Sequence, residues 1–449
     1  MIRRKINLSE NISVNFQSGG CVDCSNCGLC GKGKKEASVI TDSVNAPKIV
    51  GVSQTTQESD VALQAVGETF VAEQAEEIPT LVAVDLGTTT IGMYLINALS
   101  GEQMGVFVSL NPQQIHGADV ISRISNANAG KKDELQALIL ETIENGVKKL
   151  VKERTPKLIV ISGNTVMGHL LMGYDVSTLG VYPFKAERLE QAETAVCGIK
   201  TILMPGVSAF IGGDIVSGLY TLGFRESKDV SLLIDLGTNA EMVIGNCDKM
   251  LALSAAAGPA FDQKVYGSQL IKAVAQILKE EKADRTGCLA DEYFELGCIA
   301  GRTLVKQEEI RELQKAKAAV YTGIVLLAKE YGVLLDDIQK VYIAGGLGFY
   351  LDMESAFEIG LFPKEFIGKT DVVGNTSLEG AYRYGLALEK DDAADAERRV
   401  KIPGSIDVKD VDSETTPERE LKELLSKVRE LNLAELEGFE ETYINAMNF

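Results

Sequence analysis

Two short segments of similar sequence contain the residues best suited to chemistry, and each follows a run of apolar residues. They are residues 85–90 (DLGTTT) and 235–240 (DLGTNA). Glycine in such a turn lets the backbone approach a phosphate, successive N–H groups attract anions, and the aspartate can hold Mg²⁺ directly or through water. The segments are therefore predicted to bind the β- and γ-phosphates of a nucleotide, with its Mg²⁺, from opposite sides. The predicted phosphate-binding residues are Gly87, Thr88, Thr89, Thr90, Gly237, Thr238 and Asn239.

A third segment, residues 344–348 (AGGLG), also follows an apolar run. Glycines at a strand end permit close approach of a flat or anionic group. We therefore predict that Gly345, Gly346 and Gly348 contact the same nucleotide. Such a glycine pattern alone is a weak signal, but three segments in this order support each other. The alternative is that the two Asp-containing segments are a pair of ordinary tight hairpin turns.

Four acidic residues are the candidates for metal binding and catalysis. Phosphoryl transfer depends on positioning and charge neutralisation more than on covalent chemistry. Asp85 and Asp235 are predicted to hold the metal, and Asp214 or Glu241 to orient the attacking water. The alternatives are a helix N-cap for Asp214 and a strand-surface position for Glu241.

Four of the eight cysteines fall within ten residues, and they are Cys21, Cys24, Cys27 and Cys30. Their two-residue gaps match bacterial ferredoxins, in which such cysteines hold a [4Fe–4S] cluster. Structural zinc sites usually separate their cysteine pairs by a dozen or more residues. We therefore predict a [4Fe–4S] cluster, with zinc or redox-active thiols as the alternatives.

Apolar patterning predicts the elements that must position these residues. The predicted strands are 81–85, 91–96, 103–109, 158–162, 232–235, 240–244, 250–255 and 341–344, and the predicted helices are 133–154, 164–172, 307–330, 376–388 and 416–432. Each Asp-containing segment ends a strand and opens a hairpin, and this arrangement repeats about 150 residues later. The repeat predicts an α/β protein with two related subdomains.

The order of the three segments resembles that of the actin, sugar-kinase and heat-shock ATPase superfamily. This resemblance implies two duplicated ribonuclease-H-like subdomains with an ATP cleft between them, together with a small N-terminal Cys-rich segment in this chain. Further segments resemble the reductive activators of corrinoid proteins, an iron–sulfur branch of that superfamily. These segments are residues 111–113 (NPQ), 117–124 (GADVISRI), 163–170 (GNTVMGHL), 212–218 (GGDIVSG), 257–261 (AGPAF), 377–381 (SLEGA) and 439–449 (FEETYINAMNF).

The resemblance implies an ATP-hydrolysing reductive activase that returns a corrinoid protein from Co(II) to Co(I) with an electron from its iron–sulfur cluster. Its cofactors would be ATP, Mg²⁺ and the [4Fe–4S] cluster. Its partners would be the corrinoid protein of a methyltransferase system and a low-potential donor of the ferredoxin or flavodoxin type, and a homodimer stays open. Members usually carry a whole ferredoxin domain, whereas this chain has only the cysteine motif.

Three other functions remain open at this point. One is an activator of a radical dehydratase or reductase, which would need Cys288 or Cys298 as cluster ligands. Another is a small-molecule kinase with a metal-binding knuckle. The third is an ATP-dependent scaffold without enzymatic activity.

The net charge and the hydropathy of the sequence argue against a nucleic-acid ligand and against a membrane-spanning segment. The formal net charge is -19, and residues 391–449 carry 16 acidic and 8 basic residues, so binding to nucleic acid is not expected. The sequence lacks an apolar run of membrane-spanning length, and we expect a cytoplasmic protein.

The chain is predicted to have five parts. They are an iron–sulfur cluster segment (1–35), a linker (36–79), ATPase subdomains I (80–230) and II (231–388), and an acidic C-terminal helical extension (389–449).

Overall fold

A computed structural model describes residues 69–71, 78–152, 155–261, 264–400 and 416–449. All of them belong to one unit of the chain, residues 49–449. The predicted iron–sulfur segment and most of the predicted linker lie outside the described residues. The same holds for Cys21, Cys24, Cys27 and Cys30.

The first sheet has seven strands in the order β1-β4-β3-β2-β5-β7-β6. They are β1 (Thr69–Val71), β2 (Thr80–Leu86), β3 (Thr90–Asn97), β4 (Gln103–Leu110), β5 (Leu158–Gly163), β6 (Ala192–Val196) and β7 (Ile199–Leu203). Strand β2 pairs antiparallel with β3 and parallel with β5. Residues 81–84 have no exposed surface, as expected of a strand covered on both faces.

The second sheet has six strands in the order β14-β13-β8-β9-β10-β15, and a separate hairpin has two. The strands are β8 (Ser231–Leu236), β9 (Ala240–Gly245), β10 (Met250–Ala255), β11 (Cys298–Ala300), β12 (Thr303–Val305), β13 (Lys340–Ala344), β14 (Thr370–Gly374) and β15 (Val428–Glu430). In both sheets a three-stranded antiparallel meander is extended by two parallel strands beside its first strand.

Helices cover both sheets and also lie between them. They are α1 (Val120–Asn126), α2 (Lys132–Val151), α3 (Thr165–Met172), α4 (Gly213–Thr221), α5 (Lys264–Lys279), α6 (Asp291–Phe294), α7 (Gln307–Tyr331), α8 (Gly345–Tyr350), α9 (Met353–Glu358), α10 (Thr376–Val400), α11 (Pro417–Ser426) and α12 (Phe439–Asn445). One core cluster joins Ala83 and Val160 of the first sheet, Leu233 and Val243 of the second, and Ala381 of α10. Helices α4 and α10 therefore form the layer between the sheets.

The C-terminal part differs from the prediction. The prediction of a single helix over residues 416–432 is wrong, because α11 ends at Ser426 and β15 then pairs in parallel with residues 250–252 of β10. Hydrogen bonds offered by that sheet edge compete with continuation of the helix. In the other direction, α10 continues to Val400, well beyond the predicted end at residue 388. None of the described helices combines the length and apolarity needed to cross a membrane.

Candidate functional site

The first predicted phosphate turn connects β2 to β3, and its backbone carbonyl groups are held by neighbouring donors. Asn111 Nδ2 donates to the carbonyl oxygen of Gly87 at 2.8 Å, and an Arg123 terminal nitrogen donates to that of Thr88 at 2.6 Å. The Asn111 N–H donates to the carbonyl oxygen of Thr89 at 2.8 Å. Each of these three carbonyl oxygens therefore already accepts a hydrogen bond from within the protein.

Gly87 meets a steric requirement in this turn. A Cβ at residue 87 would lie 2.6 Å from the backbone oxygen of Thr90, which is too close for any other residue. The Thr88 hydroxyl accepts a hydrogen bond from Asn164 Nδ2 at 3.0 Å, and Asn164 also caps α3. The start of α3 therefore fixes the orientation of Thr88.

The second predicted turn connects β8 to β9 and is tied to the chain after β10. The N–H of Gly237 donates to the carbonyl oxygen of Asn239 at 2.8 Å, and the N–H of Gly258 donates to that of Thr238 at 3.2 Å. A Cβ at Gly237 would make only an ordinary contact with Asn239 at 3.6 Å. This glycine, unlike Gly87, is not required by the packing of the protein itself.

The third segment follows strand β13, as the sequence predicted, and begins helix α8, which the sequence did not predict. Gly345 has φ +84°, and a Cβ there would overlap Asp235 Oδ1 and the backbone of Leu236. A Cβ at Gly348 would lie 2.8 Å from Ile343 Cγ2. Gly345 thus lets the start of α8 sit against the second turn, and Gly348 lets the helix pack closely on β13. Gly346 lies between them in the same turn of helix.

Asp85 is positioned by Asn375 and Ser377, neither of which the sequence predicted to contact it. Ser377 Oγ donates to Asp85 Oδ1 and Asn375 Nδ2 donates to Asp85 Oδ2, both at 2.7 Å. Ser377 Oγ also lies 3.0 Å from Ser162 Oγ, which lies 2.9 Å from Ser217 Oγ. The start of α10 therefore orients an acid of the first sheet. Ser377 belongs to the segment SLEGA, whose resemblance was the only signal in the sequence.

The four candidate acids come together between the turns. Asp235 and Glu241 are directly opposed on β8 and β9, so their side chains share one face of the sheet. Burial, then the charges of Asp235 and Asp85, raise the pKa of Asp214 to about 7. Burial, then Asp214 and Asp235, raise the pKa of Glu241 well above its usual range. Each of these acids keeps part of its surface exposed, so the cluster is open to a ligand.

Neither alternative role fully describes the two candidate water-orienting acids. Asp214 lies in the first turn of α4, where its Oδ1 accepts from the N–H of Ile215 at 2.8 Å. Glu241 is partly buried and accepts from Ser254 Oγ at 3.3 Å. Local hydrogen bonds thus hold one oxygen of each acid, while both groups face the other carboxylates.

The acid cluster suits a divalent cation shared with phosphate groups. In the described part of the chain, no three His, Cys, Asp or Glu side chains are placed to enclose a metal by themselves. Protein-bound Mg²⁺ typically uses one or two carboxylates plus substrate phosphates and water. Like charges that raise each other's pKa would also be relieved by a cation. Asp85 and Asp235 therefore fit a Mg²⁺ that arrives with a polyphosphate.

Sequence comparison adds the family. Residues 81–227 match a model described as the RACo middle region, and residues 229–268 and 263–402 match one described as the C-terminal domain of RACo, the ASKHA domain. A solved structure titled "Reductive activator for corrinoid,iron-sulfur protein" has a TM-score of 0.68 and 26% identity, and covers 84% of this chain and 67% of that chain. The chain belongs to the family of reductive activators of corrinoid proteins.

Two curated relatives carry names from this family of activators. The corrinoid activation enzyme RamQ of Eubacterium limosum is 29% identical, over 72% of this chain and 67% of the relative. The [Co(II) methylated amine-specific corrinoid protein] reductase of Methanosarcina barkeri is 23% identical, over 69% and 70%. The matched family regions contain both phosphate turns and the four acids, while the Cys21–Cys30 motif precedes them.

Proposed function

We propose that this protein is an ATP-hydrolysing reductive activator that returns a corrinoid protein from Co(II) to Co(I). The observation that carries the proposal is the convergence of Asp85, Asp214, Asp235 and Glu241 between two phosphate turns, in a member of this family. The five-strand arrangement common to the two sheets, an antiparallel meander with two parallel strands beside its first strand, supports a duplicated ribonuclease-H-like architecture with an ATP cleft. The proposed subdomains are residues 80–230 and 231–388.

The chain's own residues would do three things in this cleft. The turns at residues 87–90 and 237–239 would bind the phosphates of ATP from two sides, with the start of α8 at the adenosine. Asp85 and Asp235 would hold Mg²⁺, which supplies charge neutralisation when bound. Asp214 or Glu241 would accept a hydrogen bond from the attacking water, because both face the other acids and retain a free direction of approach.

The electron from an external reductant must be accepted by another part of the chain. We propose that Cys21, Cys24, Cys27 and Cys30 hold a [4Fe–4S] cluster, which would supply one low-potential electron. A ferredoxin- or flavodoxin-type donor would reduce it, and residues 36–79 would link it to the ATPase. We also propose a cytoplasmic location. ATP can favour electron transfer only through different affinities for two states of the protein.

The experiment is anaerobic and uses the full chain reconstituted with iron and sulfide. The protein is mixed with a strong reductant and a Co(II) corrinoid protein, with and without Mg–ATP, and the Co(I) absorption is recorded. We expect Co(I) only with ATP. Asp85→Asn should abolish it together with ATP hydrolysis, and Cys24→Ser should abolish it while hydrolysis persists. Asp248→Asn, the same change at an exposed ion pair with Lys228, is the control.

Hydrolysis of ATP without any Co(I), across several corrinoid proteins, would remove the activator proposal. Equal loss of activity in Asp248→Asn and Asp85→Asn would remove the assignment of the site. A wild-type protein that forms Co(I) equally well without ATP would show that the cleft has another purpose.

A further inference from the structure

Arg123 is a fully buried arginine directly beneath the first phosphate turn. It lies on α1 with 0% exposure, and within the described part of the chain its guanidinium donates hydrogen bonds to neutral acceptors. Its Nε donates to the carbonyl oxygen of Gly117 at 3.1 Å, and one terminal nitrogen lies 3.1 Å from Gln113 Oε1 and 3.2 Å from Met167 Sδ. The other terminal nitrogen donates to the carbonyl oxygen of Thr88 at 2.6 Å.

The positive charge of Arg123 has no direct counter-ion among the residues that the structure describes. In the described residues, no carboxylate oxygen lies within ion-pair distance of its guanidinium. Burial lowers its pKa to about 10, with a partial opposing effect from the Asp119 carboxylate, so the group is still protonated at neutral pH. An unpaired buried charge is costly. A buried neutral side chain could fill the same space without that cost.

The guanidinium of Arg123 is directed at the first phosphate turn, which indicates its role. Its shortest hydrogen bond is to the turn that contains Gly87 and Thr88, which is where phosphate binding is proposed. In a medium of low dielectric, a fixed cation acts on a nearby anion far more strongly than it would in water. The hydrogen bond to the Thr88 oxygen also orients the following peptide N–H away from the guanidinium.

We propose that Arg123 is a positioning residue for the nucleotide polyphosphate, acting through the first turn and supplying the positive charge behind it. It does not touch the nucleotide and is not a catalytic residue. The proposal rests on the proposed ATP site and adds to it the source of its charge selectivity. In a purely structural role, Arg123 would instead stabilise the turn equally whatever ligand is bound.

Binding of a series of ligands with different numbers of phosphates separates the two roles. The dissociation constants of ATP, ADP and adenosine are measured by calorimetry for the wild type and Arg123→Met, an unbranched apolar side chain that removes the guanidinium and its charge. We expect ATP to weaken about 10- to 100-fold and ADP less. Adenosine should stay within about twofold. Equal weakening of all three ligands would overturn the proposal.

A second pair of variants keeps the proposal testable if Arg123→Met does not fold. Gln113 is buried, its Oε1 accepts from Arg123, and its Nε2 donates to the carbonyl oxygen of Leu135 at 2.8 Å. Gln113→Glu and Gln113→Leu both lose the donor to Leu135, but only the glutamate places a negative charge on the guanidinium. We expect ATP to bind about tenfold more weakly to Gln113→Glu than to Gln113→Leu, with equal adenosine affinity.

The outcomes distinguish this inference from the proposed function. If the wild type binds ATP tightly and the two Gln113 variants bind it equally, the charge of Arg123 is irrelevant and the inference alone fails. If the wild type does not bind ATP at all, the proposed function fails and the inference falls with it.

Discussion

Replacement of Asp214 by asparagine should stabilise the protein in the absence of nucleotide, and the gain should grow with pH. The substitution keeps the oxygen that accepts from the N–H of Ile215 and removes only the charge. Asp214 has a pKa raised from 3.8 to about 7 by burial and by Asp235 and Asp85. At pH values between the pKa of the unfolded chain and the raised pKa of the folded protein, Asp214 is protonated in the folded state and ionised in the unfolded state.

The sign and size follow from linkage. Between about pH 4 and pH 7 the folded state holds the Asp214 proton more tightly than the unfolded state, so the wild type loses stability as the pH rises through this window. The loss reaches up to ~4 kcal/mol above pH 7 and is only ~2 kcal/mol at pH 5. The free energy of unfolding of Asp214→Asn lacks this contribution from residue 214. The gap between variant and wild type should therefore widen between pH 5 and pH 7 and then stay constant.

Urea unfolding at pH 5, 6, 7 and 8, followed by circular dichroism, measures this gap. A gap that is constant from pH 5 to pH 8, or an Asp214→Asn protein less stable than the wild type at pH 8, would contradict this prediction. Mg–ATP provides a second check, because a cation beside the carboxylates favours their ionised forms. Its addition should flatten the pH dependence of the wild type, and a dependence unchanged by saturating Mg–ATP would contradict the cluster's role in metal binding.

Three further predictions concern single positions. Asp235→Asn should lower ATP hydrolysis about 100-fold without lowering the melting temperature, and a melting temperature that falls with the activity would point to a structural role. Gly345→Ala should cost about 2–3 kcal/mol of unfolding free energy, since its φ is +84° and the new Cβ would overlap Asp235 Oδ1; Gly92→Ala, whose Cβ would meet only Leu378 at 3.7 Å, is the control and should change stability little. Lys317 is buried, which lowers its pKa to about 8, so the unfolded state binds more protons than the folded state between pH 8 and pH 10.5. The free energy of unfolding of the wild type should therefore rise by up to ~3 kcal/mol over that window relative to Lys317→Met. An unchanged difference in unfolding free energy between pH 8 and pH 10 would contradict this.

The turns were predictable because their signal is local. An apolar strand followed by Asp, Gly and Thr specifies a hairpin within a dozen residues, and the strand predicted over 81–85 is Thr80–Leu86 in the structure. The same holds for the strand predicted over 232–235, which is Ser231–Leu236. Short-range patterns of this kind do not require knowledge of what the chain meets elsewhere.

The contacts of the supporting residues were not predictable, because their partners are far away in the sequence. Ser377 reaches Asp85 across 292 residues, and Arg123 reaches the Thr88 oxygen across 35. Strand β15 exists because β10 offers it an edge, and nothing in residues 428–430 alone outweighs the helical pattern before them. Such contacts arise from tertiary packing, which overrides local preference.

The position of α10 has a mechanical consequence for the proposed cleft. Asn375 and Ser377, at its start, bind Asp85 of the first sheet, and the helix packs against β2 and β5 of that sheet. The strand immediately before it, β14, belongs to the second sheet. A change in the angle between the sheets would therefore leave Asp85 with its partners and be taken up where β14 joins α10. Gly374, at that junction, has φ +70°, a conformation that glycine adopts readily and other residues do not.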